Sequence, residues 1–575
     1  MMMMSLPKRK VEKLDPNNHE QQWIDDISEC PVYRPSMEEF DDPLLFLQNI
    51  APHASKYGIC KIVSPINARV PADVVVAKEM KDFKFETTVQ PLRHVTWDVN
   101  DKLTFFRRGR KYKCCEFERM ANKAFFRRFH CSGCLPSATI EKEFWREMAC
   151  GRKGTVEYGL NVEGSAFSSD PNDPLGKSKW NLKNFSRLPK SSLRLLEGAI
   201  PGITDPMLYI GMLFSMFAWH VEDHFLYSIN YHHSGAPKTW YSVPGNFASQ
   251  FEETVLDHVY SSDILSHEGV DEASKLLAEK TTMFPPKILL ENDVPVCKAL
   301  QMPGEFVITF PRAYHSGFSH GYNCGEAVNF VVSDWFQLGA EASQHYALLG
   351  ITPTIPYEEL LCKEAMLLYK SLNHEGHLDH HHHYSAADLI SQFSIKISFV
   401  RLVRFYEQAL HYLSDTLKSL MLNFCPLSEA TVICSLCKRD CYLAYMMCNC
   451  CYSYSICLNH VEDTNCSCGS KCSMFVREDM SAYEEAARKF EKEEQIRREI
   501  QQQTKRSHGR KHDHYITNPM DDHEYSAYSG EYLGNGKGRS MKGKCNVKNN
   551  VENNKKGVME IRRMGGLTNF IHSKL

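Results

Sequence analysis

The run Phe225-Leu226-Tyr227-Ser228-Ile229-Asn230-Tyr231 is rich in aromatic and β-branched residues and follows no helical period, so it reads as a strand. It has company on both sides. Leu208-Tyr209-Ile210-Gly211 precedes it and Lys238-Thr239-Trp240-Tyr241-Ser242-Val243 follows it, with Glu305-Phe306-Val307-Ile308-Thr309-Phe310 and Ala327-Val328-Asn329-Phe330-Val331-Val332 further on. Gly and Pro punctuate the intervals. Short strand runs at this spacing over residues 143–345 predict a mainly β core, a sandwich, jelly roll or barrel.

The surrounding chain of 575 residues has 67 Lys+Arg against 70 Asp+Glu and a soluble, globular composition, with length for three or four domains. The longest apolar stretch, residues 206–219, is too short to cross a bilayer, and no apolar signal core follows the first methionines; membrane and secreted classes are therefore not expected. The net charge of −3 hides an asymmetry, because residues 504–575 hold 14 Lys/Arg against 7 Asp/Glu. Such a tail points to an acidic polymer nearby. Of 22 cysteines, ten fall within residues 434–472, a cluster that reads as metal binding rather than disulfides.

Residues 1–29 are polar and charged, with the short basic run Pro7-Lys8-Arg9-Lys10-Val11 readable as a nuclear address or as part of a disordered end. Residues 30–72 condense into a small unit. In it Ser36-Met37-Glu38-Glu39 resembles a helix N-cap leading an apolar face through Phe40, Leu44, Phe46 and Leu47, and Tyr57-Gly58-Ile59-Cys60-Lys61-Ile62-Val63 alternates like a strand. The unit is too small to hold its own core and is expected to pack on something downstream. The connecting segment, residues 73–142, contains Phe105-Phe106-Arg107-Arg108-Gly109-Arg110-Lys111-Tyr112 and Phe125-Phe126-Arg127-Arg128-Phe129-His130. Basic and aromatic residues together suit phosphate contact, although a solvated loop or amphipathic helix is the plainer reading. Cys131-x-x-Cys134 has no second pair nearby and reads as structural. Residues 346–425 show helical patterns, running to about Leu422 and broken by a His-rich loop from His374 to His383; residues 479–503 read as a charged, solvated helix. The tail, residues 504–575, has too few apolar residues to pack and reads as disordered, with nonspecific DNA contact through its positive charge.

The sharpest local feature is Trp219-His220-Val221-Glu222-Asp223-His224. On a strand, His220 and Glu222 point the same way, and His315 follows a strong strand downstream. Two imidazoles and one carboxylate occupy one face of an octahedral ion and leave three positions open, the arrangement of non-haem iron(II) oxygenases. The commonest electron donor at such an ion, 2-oxoglutarate, needs a cation for its far carboxylate, and Lys238 lies one strand-length beyond Glu222.

Taken together, Phe217 to Asp223, Tyr227 to Tyr231, Pro237 to Tyr241, and Ile308-Thr309-Phe310-Pro311 with His315 to Gly321 closely resemble the JmjC histone lysine demethylases, and the segment from Cys30 to Pro65 resembles their JmjN element. The resemblance implies a double-stranded β-helix, a jelly roll of cupin type, surrounded by helices and followed by a helical region and a small zinc domain. It implies iron on His220, Glu222 and His315. It implies 2-oxoglutarate held by Lys238, Tyr158 and Asn230 between Phe217 and Trp240, and Tyr209 with Glu222 at the methyl-ammonium pocket. Ala327 stands where some animal relatives have a hydroxyl residue, so the methylation state preferred is left open. Cys434-x2-Cys437, Cys448-x-Cys450, Cys457-x2-His460 and Cys466-x-Cys468, over residues 426–478, resemble the C5HC2 finger and offer eight ligands for two zinc ions, with the pairing undetermined.

Within the family the chain looks most like the plant JmjN/JmjC group, whose members act on methylated lysine 27 or lysine 9 of histone H3, and overall likeness favours lysine 27. The activity implied is a nuclear demethylase that acts on the histone H3 tail in chromatin and releases formaldehyde, succinate and CO2. A protein hydroxylase and a catalytically silent chromatin module are the alternatives. Tyr209 argues against the first, and the intact His220, Glu222, His315 and Lys238 argue against the second.

Overall fold

The computed structural model describes residues 21–93, 107–131, 135–150, 154–260, 274–374, 385–416, 421–425, 431–448, 454–461, 472–493 and 495–499. The basic run near the N-terminus, Cys134, residues 375–384 of the His-rich loop, and the tail from residue 504 lie outside them.

Among the described residues, fourteen strands build two facing sheets. They are β1 (Ser28–Glu29), β2 (Val32–Tyr33), β3 (Ile59–Val63), β4 (Phe85–Leu92), β5 (Arg108–Tyr112), β6 (Gly154–Glu163), β7 (Met207–Gly211), β8 (Met216–His220), β9 (Tyr227–Gly235), β10 (Lys238–Val243), β11 (Cys297–Gln301), β12 (Glu305–Thr309), β13 (Tyr314–Ser319) and β14 (Asn323–Phe330). One sheet runs β1-β11-β10-β13-β8, the other β2-β3-β12-β9-β14-β7-β6-β4-β5. The chain crosses between the sheets repeatedly, which makes the centre a jelly roll. Strands β10 and β14 are buried along their whole length, as strands covered on both faces must be.

The small N-terminal unit belongs to this core. β3 pairs antiparallel with β12, Ile62 opposite Phe306, and so extends the larger sheet, while β1, just ahead of the unit in the segment read as a disordered end, pairs in parallel with β11 and extends the smaller one. Its helix starts later than the sequence pattern suggested. Ser36 and Glu39 do exchange capping hydrogen bonds, Glu39 N donating to Ser36 Oγ (3.2 Å) and Ser36 N to Glu39 Oε2 (2.8 Å), but they close only a 3-10 turn, Glu39–Asp41. Pro43 disfavours helical backbone at the residue before it, so the helix Pro43–Ala54 restarts with Asp42 as its N-cap.

Beyond the jelly roll, helices Tyr357–His374 and Ala386–Thr416 pack with helix Met480–Glu491. Two expectations are corrected here. Residues 421–425 are not the end of the helical region: Met421–Cys425 is a strand paired in parallel with Cys472–Arg477, its Leu422 and Phe424 alternating on one exposed face. Nor is the charged segment fully solvated, because Met480, Tyr483, Ala487 and Phe490 form a buried stripe at helical spacing. Phe490 meets Phe399 edge-on at 6.1 Å. No helix among the described residues is long and apolar enough to cross a membrane.

Candidate active site

Pairing of β8 with β13 sets His220 directly opposite His315. Their ring centroids lie 4.2 Å apart, and His315 Nε2 is 3.4 Å from Glu222 Oε1. One donor atom from each of the three falls within 4.8 Å of the others. His220 Nδ1 lies 2.8 Å from Ala218 O and His315 Nδ1 lies 3.0 Å from Ala313 O. Carbonyl oxygens only accept, so both Nδ1 atoms carry the proton, and both Nε2 lone pairs are free for a metal. Burial, reinforced by His315, pushes the His220 pKa down to about 3, which keeps the ring a neutral ligand. Burial works against ionisation of Glu222. The facing imidazole of His315, then His220 and the Lys280 ammonium, outweigh it and hold the carboxyl well below the usual carboxylate range. A compact, deprotonated N2O set of this kind suits iron(II) with open positions.

A cavity of about 320 Å³ opens beside the three residues, lined by side chains from both sheets. It brings together every pocket residue expected from the sequence: Lys238 and Trp240 from β10, Phe217 from β8, Asn230 from β9, Tyr158 from β6, Tyr209 from β7 and Ala327 from β14. Lys238 is 5% exposed; its Nζ donates to the Tyr158 hydroxyl at 3.2 Å, and it has no carboxylate partner among the described residues. Burial pushes its pKa down to about 8. A buried cation without an anion is costly, and a carboxylate-bearing ligand would complete it, so the pocket fits 2-oxoglutarate. Phe217 and Trp240 meet at 4.5 Å between ring centroids. Gly317 leaves room for the Phe217 ring, since a Cβ there would sit 2.4 Å from it.

Three contributors were not legible in the sequence. The Tyr209 hydroxyl donates to Asn161 Oδ1 at 3.0 Å, and Asn161 sits at φ +51° in a bulge of β6 between Gly159 and Val162. Asn tolerates this left-handed backbone, and an Asn two residues past a strand glycine was the only available signal. With its proton committed to Asn161, the Tyr209 oxygen presents lone pairs to the cavity. Gln301 accepts from Trp240 Nε1 (2.9 Å) and donates to Asn230 O (2.9 Å), which fixes the indole wall. Lys280 reaches in from a loop, its Nζ 2.8 Å from Asp223 Oδ1, and lines the cavity next to Glu222.

A second cluster gathers Cys434, Cys437, Cys457 and His460, their donor atoms within 4.8 Å of one another. The Cys437 and Cys457 sulfurs are 3.8 Å apart and Cys434 Sγ is 3.9 Å from His460 Nδ1. Sulfurs bound at about 2.3 Å to a tetrahedral ion lie roughly 3.8 Å apart, so the set fits zinc. Cys448 ends the strand Ala444–Cys448, while Cys450, Cys466 and Cys468 lie outside the described residues.

Comparison with known proteins agrees with this geometry. Residues 207–330 match the family described as "JmjC domain, hydroxylase", residues 31–64 the jmjN domain and residues 434–485 the C5HC2 zinc finger. The chain carries JmjN, JmjC and C5HC2 zinc-finger domains. It is 53% identical over 499 residues to lysine-specific demethylase JMJ706 of Oryza sativa subsp. japonica, an alignment that covers 86% of this chain and 57% of that protein. It is 36% identical over 370 residues to lysine-specific demethylase JMJ705 of the same plant (59% of this chain, 28% of that protein) and 34% identical over 383 residues to lysine-specific demethylase REF6 of Arabidopsis thaliana (59% and 27%). The chain thus spans little more than half the length of the first relative and about a quarter of the other two. The matched JmjC segment holds His220, Glu222, His315 and Lys238, whereas Tyr158 lies upstream of it on β6, a strand that pairs with β7 inside the segment.

Proposed function

We propose that this chain is an iron(II)- and 2-oxoglutarate-dependent lysine demethylase that acts on tri- and dimethyl-lysine of the histone H3 tail in the nucleus, lysine 27 first and lysine 9 next. The observation that carries the reading is the convergence of His220, Glu222 and His315 in one cavity with a buried Lys238 that has no carboxylate partner among the described residues. The demethylase names of the relatives support the substrate class, and the order of lysine 27 before lysine 9 rests on overall sequence likeness to the plant JmjN/JmjC group alone. Iron(II) bound there would use dioxygen to oxidise 2-oxoglutarate to succinate and CO2 and an N-methyl carbon to a hydroxymethyl group, one oxygen atom going to each, and the hydroxymethyl group would leave as formaldehyde.

The protein's own residues do the rest. His220, Glu222 and His315 would hold the metal. Lys238 and Tyr158 anchor the far carboxylate, Asn230 supports it, and Phe217 and Trp240 exclude water around the chain between. Tyr209 and Glu222 meet the methyl-ammonium group, and Ala327 offers it no hydroxyl. Because the oxidised atom is carbon, no nitrogen lone pair is required, and trimethyl-lysine is a substrate. Cys434, Cys437, Cys457 and His460 hold one zinc, leaving Cys448, Cys450, Cys466 and Cys468 for a second, in a structural role. The basic tail contacts DNA.

The test is incubation of the purified chain with iron, ascorbate and 2-oxoglutarate against a panel of methylated H3 peptides, read by mass. Loss of methylene masses from the lysine 27 peptides is expected. A gain of one oxygen would make the chain a hydroxylase, and no change would make it a silent module. His220→Ala should abolish turnover with zinc content unchanged; an active variant would remove the metal assignment.

A further inference from the structure

Residues 107–130 hold nine Lys/Arg against two Asp/Glu, whereas the chain outside them and outside residues 504–575 holds 44 against 61. In the structure this cationic segment is β5 followed by the helix Cys114–Phe129. Arg128 alone is folded inward, its Nη2 bonded to Glu143 and Glu147. The other eight, Arg107, Arg108, Arg110, Lys111, Lys113, Arg119, Lys123 and Arg127, are exposed. Arg108 and Lys111 share Glu86 at 3.7 and 4.0 Å, and the remaining six have no ion-pair partner among the described residues.

The helix explains how the charge is displayed. It buries Phe117 against Phe85 and Tyr112, which turns Arg119, Lys123 and Arg127 outward at successive four-residue steps beside a half-exposed Phe126. Like charges four apart repel and cost helix stability, and no acid in this row offsets them. Successive cations are about 6 Å apart along the axis, so the row is roughly 12 Å long. Duplex DNA, with about one phosphate charge per 1.7 Å of axis, is a polyanion dense enough to meet every one of them. Placement adds to the argument. β5 is the free edge of the larger sheet, and Arg108 pairs with Thr88, which together with Gln90 on β4 lines the catalytic cavity.

We propose that β5 and the helix Cys114–Phe129 form a DNA-phosphate-binding surface, distinct from the basic tail, that holds the enzyme on nucleosomal DNA while a histone tail enters the cavity one strand away. The DNA contact stands on charge and exposure, and its nucleosomal setting rests on the proposed demethylase activity. The contact proposed is to backbone phosphates, which Arg and Lys meet as charges without reading base sequence.

The test compares the full chain with Arg119→Gln/Lys123→Gln/Arg127→Gln, substitutions that suit an exposed helix. Duplex DNA binding is followed by fluorescence anisotropy across a salt series. The basic tail is present in both proteins, so the difference isolates this surface. Loss of three phosphate contacts should make the slope of log affinity against log salt shallower by about 2.7. Turnover of a methylated H3 peptide should be unchanged, which also shows that the variant is folded, while turnover of methylated nucleosomes should fall several-fold. An unchanged salt slope overturns the proposal. Unchanged DNA binding with loss of binding to an acidic peptide would overturn it in favour of a protein partner. Absence of peptide turnover in both proteins would instead count against the demethylase reading and leave the DNA result intact.

Discussion

Lys238 shows how much one residue's surroundings decide. On an exposed strand it would be an ordinary lysine; here it is buried, held by the Tyr158 hydroxyl, and short of an anion. Burial lowers its pKa to about 8, so in the free protein it is a cation below that pH and neutral above it. Only the cation attracts the far carboxylate of 2-oxoglutarate. Affinity for 2-oxoglutarate should therefore be flat below about pH 8 and weaken by up to tenfold per pH unit above it. Bound anion raises the lysine pKa, so binding above pH 8 takes up a proton. Calorimetric titration in two buffers of different ionisation heat reads both effects without turnover, and a flat profile from pH 7 to pH 10 would show that Lys238 does not carry the carboxylate.

Elements far from the cavity hold these residues in register. β3 contributes no cavity-lining residue, yet its Ile62 is fully buried opposite Phe306 on β12, whose neighbour β9 carries Asn230. Truncating such a side chain typically costs about 2–5 kcal/mol. Ile62→Ala should lose stability in this range by urea unfolding and, under conditions where it remains folded, keep normal affinity for 2-oxoglutarate; a loss under 1 kcal/mol would mean that the small N-terminal unit is only loosely attached. The strands and the His-x-Glu pair were legible because a two-residue period states its own facing, and the Tyr57 to Val63 run announced β3 in the same way. Less legible were features set by partners distant in sequence. A parallel partner in Cys472–Arg477 made Met421–Cys425 a strand, and the β6 bulge brought Asn161 onto Tyr209, whereas the helix start at Pro43 is a local signal that the sequence itself carries. The buried stripe of Met480–Glu491 was hidden by the charges on its other face.

At the scale of the molecule, the zinc cluster is physically continuous with the catalytic core. One apolar cluster runs from Leu44 through Phe306 and Phe330 of the jelly roll, then Phe399 of the helical region, to Cys434, Tyr445 and Tyr483. A buried carboxylate pair joins the same parts. Glu358 N donates to Asp440 Oδ2 at 2.8 Å, while Glu358 Oε2 accepts from the Tyr406 hydroxyl at 2.8 Å and from Tyr442 N at 2.9 Å. Burial, with the Asp440 charge beside it, pushes the Glu358 carboxyl well above the usual carboxylate range, and the donors on both carboxyl groups tie the helix Tyr357–His374 to the zinc region. Asp440 lies three residues past Cys437 and pairs with Ile433 beside Cys434, so this joint and the zinc cluster share one hairpin. Zinc on Cys434, Cys437, Cys457 and His460 should therefore stabilise the whole body rather than a separate finger. In His220→Ala protein, used so that iron is not in play, a zinc chelator should lower the main calorimetric transition by several degrees and leave it single, and Cys457→Ser should reproduce the shift. A separate low-temperature transition with the main one unmoved would show instead that the knuckle folds and melts alone, and that metal loss in the C-terminal region leaves the catalytic jelly roll untouched.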